Sequence, residues 1–254
     1  MENKLKSLLA SPVSSGVMTS TWLREAGIST QLVSRYVRSG WLKSIGHGAY
    51  VRDPSRIVWQ HGLNALQNQL GLPVWLGSLS ALALQGFGHQ LAMGRERVWL
   101  HAQDAPHLPK WFTQHDWSVE FVLINRRLFD EQPKQQLIVR DSGAVPLRVS
   151  RPELAVLEYL DRVKDRSSFE DAQDLMTGAT TLAPSLMQSL LEACRSIRAK
   201  RLALYFADTQ QLPWMTRLDV SKIDLGSGPR QIVAEGRLDS RYQITVPRSI
   251  EDGI

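Results

Sequence analysis

Cysteine is scarce in this sequence: Cys194 is the only one among 254 residues. A single thiol forms neither an internal disulfide nor a cysteine-based zinc site, which is typical of proteins in a reducing compartment. Long apolar runs are missing too, since no stretch approaches the roughly twenty apolar residues of a membrane-spanning helix. Residues 1–6 lack the apolar core of a signal peptide. We therefore expect a cytoplasmic protein in which Cys194 is a small core residue.

Familiar catalytic motifs are also missing. The sequence contains no Gly-x-x-x-x-Gly-Lys-Ser/Thr phosphate loop, no His-Glu-x-x-His zinc helix and no Gly-x-Ser-x-Gly nucleophile turn. Gly77-Ser78, followed by a helix and the strand Arg97–His101, resembles the start of a nucleotidyltransferase, but that strand has no carboxylate to hold catalytic metal ions. We interpret Gly77-Ser78 as a helix start. The histidines are spaced too irregularly for a metal site, so we expect no enzyme activity, no metal and no cofactor.

Positive charge is unevenly distributed along the chain. The net charge is +5, and residues 1–60 contain eight Lys or Arg against three Asp or Glu. The rest of the chain contains 22 residues of each sign, so the whole excess lies in the N-terminal quarter. A basic N-terminal part on a neutral body is the electrostatic pattern of a nucleic-acid-binding protein.

Two helices joined by a glycine turn are predicted inside this basic part. The first begins at an N-cap, Thr19 or Ser20, and ends at Gly27, which suits the left-handed C-terminal position. The second covers Ser29–Ser39 and is closed by Gly40 in the same way. A helix, a tight turn and a second helix form the helix-turn-helix unit.

A wing follows the second helix. Trp41–Ile45 and Ala49–Val51 predict two short strands around the turn Gly46-His47-Gly48. Asp53-Pro54 then breaks the strand pattern, so we place a domain boundary just after these residues. We expect a winged helix-turn-helix over residues 1–56, called the head below, and a larger C-terminal domain over residues 57–254.

The C-terminal domain mixes helical and strand patterns. Because its strands and helices are largely segregated along the chain, we expect the α+β class rather than a doubly wound sheet. Helices are predicted over residues 58–70, 78–84, 152–163, 169–175, 184–194 and 197–207. Strands are predicted over residues 97–101, 119–124, 145–149, 230–235 and 242–246.

The second helix of the head has two chemically distinct faces at helical spacing. One face is apolar and consists of Leu32, Val33, Tyr36 and Val37. The other is polar and is the predicted reading surface for DNA, consisting of Gln31, Ser34, Arg35 and Arg38. In the major groove Arg35 can place two hydrogen bonds on guanine, and Gln31 can do the same on adenine.

Other basic side chains of the head are predicted to contact the DNA backbone. Arg38 lies near the helix end and suits a phosphate, and the wing residues Lys43, His47 and Arg52 suit the backbone or the minor groove. A solvated helix face in a protein that never binds DNA is the alternative, as is a winged helix that docks another protein. The tryptophans of the neutral body could stack on bases, but core packing is their commoner role.

Three stretches of the sequence resemble the AbiEi-type antitoxins, which are regulators of type IV toxin–antitoxin systems in abortive infection. Residues 40–51 are similar to the wing of that family, and residues 76–86 to its second segment. Residues 223–230, 236–239 and 242–247 are similar to its C-terminal signature, although Pro229 stands where we expect lysine. The resemblance spans nearly the whole chain.

The resemblance implies a repressor that binds double-stranded DNA at repeats in its own promoter and counteracts a nucleotidyltransferase-like toxin. It leaves open whether the toxin is bound directly. A winged-helix regulator without a toxin partner is the alternative. Protection from the toxin is hypothesised to depend on the surface around Ser196–Lys200 and on the tail strands, because the densest basic cluster outside the head lies there. A solvated helix face is the other interpretation of this cluster. That cluster consists of Arg195, Arg198, Lys200 and Arg201.

Overall fold

The structure is a computed structural model that describes residues 8, 10–87, 95–131 and 134–248. The chain forms two compact units, each assembled from separate parts of the sequence. The first unit comprises Met1–Trp75, Ala92–Asn125 and Val139–Arg148. The second comprises Leu76–Leu91, Arg126–Ile138 and Val149–Ile254. Helices and strands are mixed in the manner of the α+β class, as predicted.

The head is a helix-turn-helix with a small sheet. Strand β1 (Met18–Thr19) precedes helices α1 (Ser20–Glu25) and α2 (Thr30–Arg38), and the wing consists of β2 (Lys43–Gly46) and β3 (Ala49–Val51). The antiparallel sheet has the order β1-β3-β2. The two wing strands and both helices are therefore confirmed, while β1 was not predicted.

The ends of both head helices follow from individual residues. The Thr19 hydroxyl accepts a hydrogen bond from Trp22 N at 3.2 Å, and the Ser29 hydroxyl accepts one from Leu32 N at 3.3 Å. Each bond satisfies an amide that the first helical turn leaves without a backbone partner. Gly27 and Gly40 both have φ of +76°, a conformation that glycine adopts without steric cost.

The remainder of the first unit carries a five-stranded sheet. Its strands are β4 (Val74–Leu76), β5 (Arg97–Ala102), β6 (Glu120–Ile124), β7 (Leu137–Asp141) and β8 (Pro146–Ser150), in the order β6-β5-β4-β8-β7. The last residue of β4, the first two of β7 and the last two of β8 belong to the second unit. Pairs β5–β6 and β4–β8 are parallel.

Other helical segments of the first unit lie outside the head. Helix α3 (Trp59–Asn64) continues into a π-helical turn (Ala65–Gln69), and the short helix α5 (Lys110–Thr113) lies between β5 and β6 in sequence. The buried Gln67 side chain donates to the carbonyls of Val74 and Arg148 at 3.1 and 3.0 Å. A polar side chain thus links the π-helical turn to β4 and β8.

The second unit is built around one buried helix. Helix α6 (Pro152–Leu160) is buried from Glu153 to Leu160, which is typical of a helix enclosed by others. Its neighbours are α4 (Ser78–Leu84), α8 (Pro184–Ala193) and α9 (Ile197–Thr209). Helix α7 (Arg166–Thr177) packs on α9, with the rings of Phe169 and Phe206 4.8 Å apart.

The C-terminal hairpin corrects one prediction. A strand over residues 230–235 is wrong: the hairpin pairs β9 (Arg237–Asp239) with β10 (Ile244–Val246), and Arg230 makes only an isolated bridge to Ile244. The apolar pair Ile232-Val233 is buried as expected of a strand. The backbone amides of these two residues, however, donate to the Thr245 hydroxyl at 2.8 and 3.2 Å. A side-chain hydroxyl therefore takes the place of the backbone carbonyls that a neighbouring strand would provide.

Several predictions about single residue types can be compared with the structure. Cys194 is buried, and so are Trp75, Trp111, Trp117 and Trp214, while Trp99 is half-buried. His101 is buried and stacks on Trp75 with ring centroids 6.1 Å apart, while His89 lies outside the described residues. Within the described ranges no three His, Cys, Asp or Glu are grouped as a metal site would require, and no helix is long and apolar enough to cross a membrane.

Candidate nucleic-acid interface

Helix α2 presents its two predicted faces to two environments. Val33 and Tyr36 are buried in the head's core together with Leu23, Ile28 and Leu42. All four side chains of the polar face are exposed: Gln31, Ser34, Arg35 and Arg38. The helix therefore offers two arginines, an amide and a hydroxyl along one solvent-facing side, which is the donor and acceptor set that reads base edges.

The wing adds further exposed cations beside this helix. Lys43, His47 and Arg52 are exposed, and among the described residues no ion pair holds Arg38, Lys43 or Arg52. The wing turn depends on glycine, since Gly48 has φ of +81°. Together, α2 and the wing thus present seven exposed polar or basic side chains within the head.

The carboxylate of Asp53 partly offsets this charge. Asp53 Oδ2 lies 3.3 Å from Arg56 Nε. Hydrogen bonds from Ser55, and then the charges of Arg56 and Lys43, lower the pKa of Asp53, so this carboxyl is ionised near neutral pH. The charge of Arg56 is therefore compensated locally, which leaves the positive field of the head to the other cations.

One exposed aromatic residue was not predicted as part of this surface. Trp41 follows the capping Gly40 and has 49% of its surface exposed, in contrast to the buried tryptophans of the body. Its backbone amide donates to Tyr36 O at 2.9 Å, which ties the start of the wing to α2. No period or charge pattern distinguishes an exposed tryptophan from a buried one, so the exposure of Trp41 could not be predicted from the sequence.

The head is held in the first unit by residues beyond position 56. Thr19 N donates to the Gln69 side chain at 2.8 Å, and Gln69 donates to Val17 O at 2.7 Å. His61 packs against Gly16, and burial lowers its pKa, so the imidazole is neutral near pH 7. A boundary at residue 56 stays a prediction about independent folding, and these contacts are what a separated head would lose.

The second predicted site, the basic cluster outside the head, is not a single exposed surface. Arg195 is exposed and pairs with Asp130 at 2.9 Å, and Arg198 is half-buried. Lys200 and Arg201 are only 3% and 2% exposed. The four side chains therefore do not form one accessible cluster, because Arg195 lies before α9 while Lys200 and Arg201 are enclosed by the loop that they bind. Their role against a toxin stays a prediction.

The two buried cations hold the glycine-rich loop of the C-terminal segment. Lys200 Nζ donates to Asp224 O at 3.0 Å. Arg201 donates to four backbone carbonyls, those of Leu225, Gly226, Gly228 and Gln243. Backbone carbonyls satisfy a buried guanidinium without a carboxylate, so the role of these two residues visible here is structural.

The Gly77-Ser78 turn is a helix start, as interpreted from the sequence. Ser78 is the first residue of α4 and is fully buried. Its amide donates to Glu158 Oε2 at 2.9 Å. The side chain of Glu158 thus occupies the position at the helix N-terminus that a phosphate would need.

Comparison with models of protein families identifies one family. A family model described as a transcriptional regulator, AbiEi antitoxin N-terminal domain, matches residues 1–93. A second, described as a transcriptional regulator, AbiEi antitoxin of a type IV toxin–antitoxin system, matches residues 95–247. No curated protein matches the chain. The crystal structure of the RV2827C protein from Mycobacterium tuberculosis has a similar fold, with a TM-score of 0.56 and 18% identity over 94% of this chain and 88% of that chain.

Proposed function

The chain belongs to the AbiEi antitoxin family of transcriptional regulators of type IV toxin–antitoxin systems, and from this premise we propose that it represses its own promoter through the head. Helix α2 enters the major groove, where Arg35 and Gln31 contact base edges and Ser34 leaves them room. Arg38, Lys43, His47 and Arg52 contact phosphates or the adjoining minor groove.

One observation carries this proposal: the polar face of α2 is exposed along its whole length, while the opposite face forms the core of the head. A helix in this position of a helix-turn-helix is the element that reads DNA in proteins of this architecture. The concentration of the chain's excess positive charge in the same part supports it, because phosphate contacts supply most of the affinity for DNA.

Two substitutions in the full chain test the roles of reading and backbone contact. We expect Arg35→Ala to weaken binding to the promoter duplex by roughly 1–3 kcal/mol, because a base contact is lost. The affinity of this variant for random duplex should be almost that of the unaltered chain. Lys43→Ala should weaken binding to both duplexes alike and make it less sensitive to salt. Fluorescence anisotropy with labelled duplexes at several salt concentrations measures both effects.

A matched control removes an exposed cation elsewhere in the first unit. Arg140, at the end of β7, is exposed and lies outside the head, so Arg140→Ala should leave both affinities unchanged. Identical losses for Arg35→Ala and Lys43→Ala on promoter and random DNA would contradict the assigned roles.

We also propose that the chain counteracts a nucleotidyltransferase-like toxin, directly or through the toxin's target. Support comes from the family membership and from the match of residues 95–247 to its antitoxin model. Of the basic cluster predicted for this role, the solvent-accessible part is Arg195 and Arg198, while Lys200 and Arg201 hold the loop that follows. A regulator without a toxin partner is the competing function.

Growth during toxin expression tests this second role. The unaltered chain, co-expressed with the adjacent toxin gene, should restore growth, and the double variant Arg195→Glu with Arg198→Glu should restore it much less. Lys164→Glu, which alters an exposed cation of the same unit, should protect fully. Full protection by a folded, well-expressed double variant would remove the two arginines from the proposal, and the lack of any growth arrest to relieve would favour the regulator without a toxin.

A further inference from the structure

The base of the wing turn rests directly on a helix from the body. Gly46, the last residue of β2, packs so closely on α5 that a methyl group at its Cα would lie 2.7 Å from Trp111 Cβ and 3.0 Å from Trp111 Cα. Gly46 also has φ of +148°, which other residues rarely adopt. The backbone of the wing and the backbone of α5 are therefore in contact, although more than sixty positions separate them in the sequence.

Helix α5 is in turn fixed within the first unit. Trp111 is 4% exposed and Phe112 is 1% exposed. The Phe112 carbonyl accepts a hydrogen bond from Trp117 Nε1 at 2.8 Å, and the Phe112 ring stacks on Phe121 with centroids 4.7 Å apart. A segment packed this tightly holds its neighbours in place, so the residue before Trp111 has a defined position beside the wing.

That residue, Lys110, is exposed, and among the described residues its side chain makes no ion pair. Resting on the proposed DNA binding by the head, we infer that Lys110 is a further DNA-contacting residue, which binds a backbone phosphate beside the one reached by the wing. The wing and the N-terminal residue of α5 then form one composite backbone-contacting element.

The physical basis is the geometry of a duplex backbone. A wing that approaches the backbone through His47 brings Lys110 to the same strand, because the wing and α5 are in contact at Gly46 and Trp111 and Lys110 directly precedes Trp111. An ammonium group on a flexible stem serves as a point charge that follows a phosphate without reading sequence. Lys110 therefore adds affinity and salt dependence rather than specificity.

Salt titrations of the full chain test this inference. Lys110→Ala should weaken binding to promoter and random duplex equally, by about fivefold at low salt, and should reduce the slope of log K against log salt concentration by about 1. Lys110→Glu should weaken binding further. Lys110→Arg keeps the positive charge and should therefore show the affinity and the slope of the unaltered chain. Arg140→Ala, which removes an exposed cation of the same unit on β7, should change neither quantity.

The outcomes separate this inference from the function on which it rests. Normal binding by the unaltered chain together with an unchanged slope for Lys110→Ala overturns the inference and leaves the proposed function intact. Tighter binding by Lys110→Ala also overturns it, since α5 would then obstruct the duplex. An unaltered chain that binds no duplex overturns the proposed function and this inference together.

Discussion

Replacing Arg201 by alanine should lower the free energy of unfolding by about 3 kcal/mol or more, one of the two largest effects expected in this chain. The guanidinium donates from Nε to Leu225 O at 2.8 Å, from Nη1 to Gly228 O and Gln243 O at 2.7 and 2.9 Å, and from Nη2 to Gly226 O at 3.2 Å. Its removal takes a donor from each of the four carbonyls, of which Gln243 O keeps the bond from Arg230 N at 2.8 Å, and leaves a cavity beneath the loop. Urea denaturation followed by circular dichroism measures the loss.

Two further variants identify the cause of that loss. Arg201→Lys keeps the charge but not the planar fork that reaches several carbonyls, so we expect an intermediate destabilisation. Arg198→Ala removes a half-buried arginine one turn earlier on α9 and should cost less than about 0.5 kcal/mol. If Arg201→Ala were as stable as Arg198→Ala, the four carbonyls would not depend on the guanidinium.

The parts of the fold that the sequence predicted correctly depend on local signals. The head helices could be delimited because Thr19, Ser29, Gly27 and Gly40 each act within a few residues of their own position. The faces of α2 followed from helical spacing alone. The predicted reading surface is exposed for that reason, although exposure is not binding and its contacts with DNA stay a prediction.

The strands and side-chain contacts that could not be predicted from the sequence depend on contacts between distant segments. Strands β1, β4 and β7 are short or lack an alternating pattern, and they exist because a partner strand elsewhere in the chain completes their hydrogen bonds. The two buried cations were grouped with exposed ones because charge is read along the sequence, whereas the carbonyls that bind Arg201 lie 24 to 42 positions away. Lys110 was not singled out because nothing near it in sequence points to the wing.

Glu158 provides the other site at which one substitution should have a large effect. Its carboxylate is 2% exposed and accepts hydrogen bonds from Ser78 N and from the Ser150 hydroxyl, each at 2.9 Å. Ser78 has φ of +45°, a strained conformation for a residue with a side chain. Helix α4 has no side-chain cap of its own, so a carboxylate from α6 both caps this helix and keeps its first residue in place.

We therefore expect Glu158→Ala to lower the free energy of unfolding by about 2–4 kcal/mol, because a buried amide and a buried hydroxyl lose their acceptor. Glu158→Gln keeps one oxygen and should cost less. Glu170→Ala, which removes an exposed carboxylate paired with Arg166 on α7, should cost no more than about 0.5 kcal/mol. Urea denaturation of the three variants decides the matter: a stable Glu158→Ala would show that α4 keeps its start without the carboxylate.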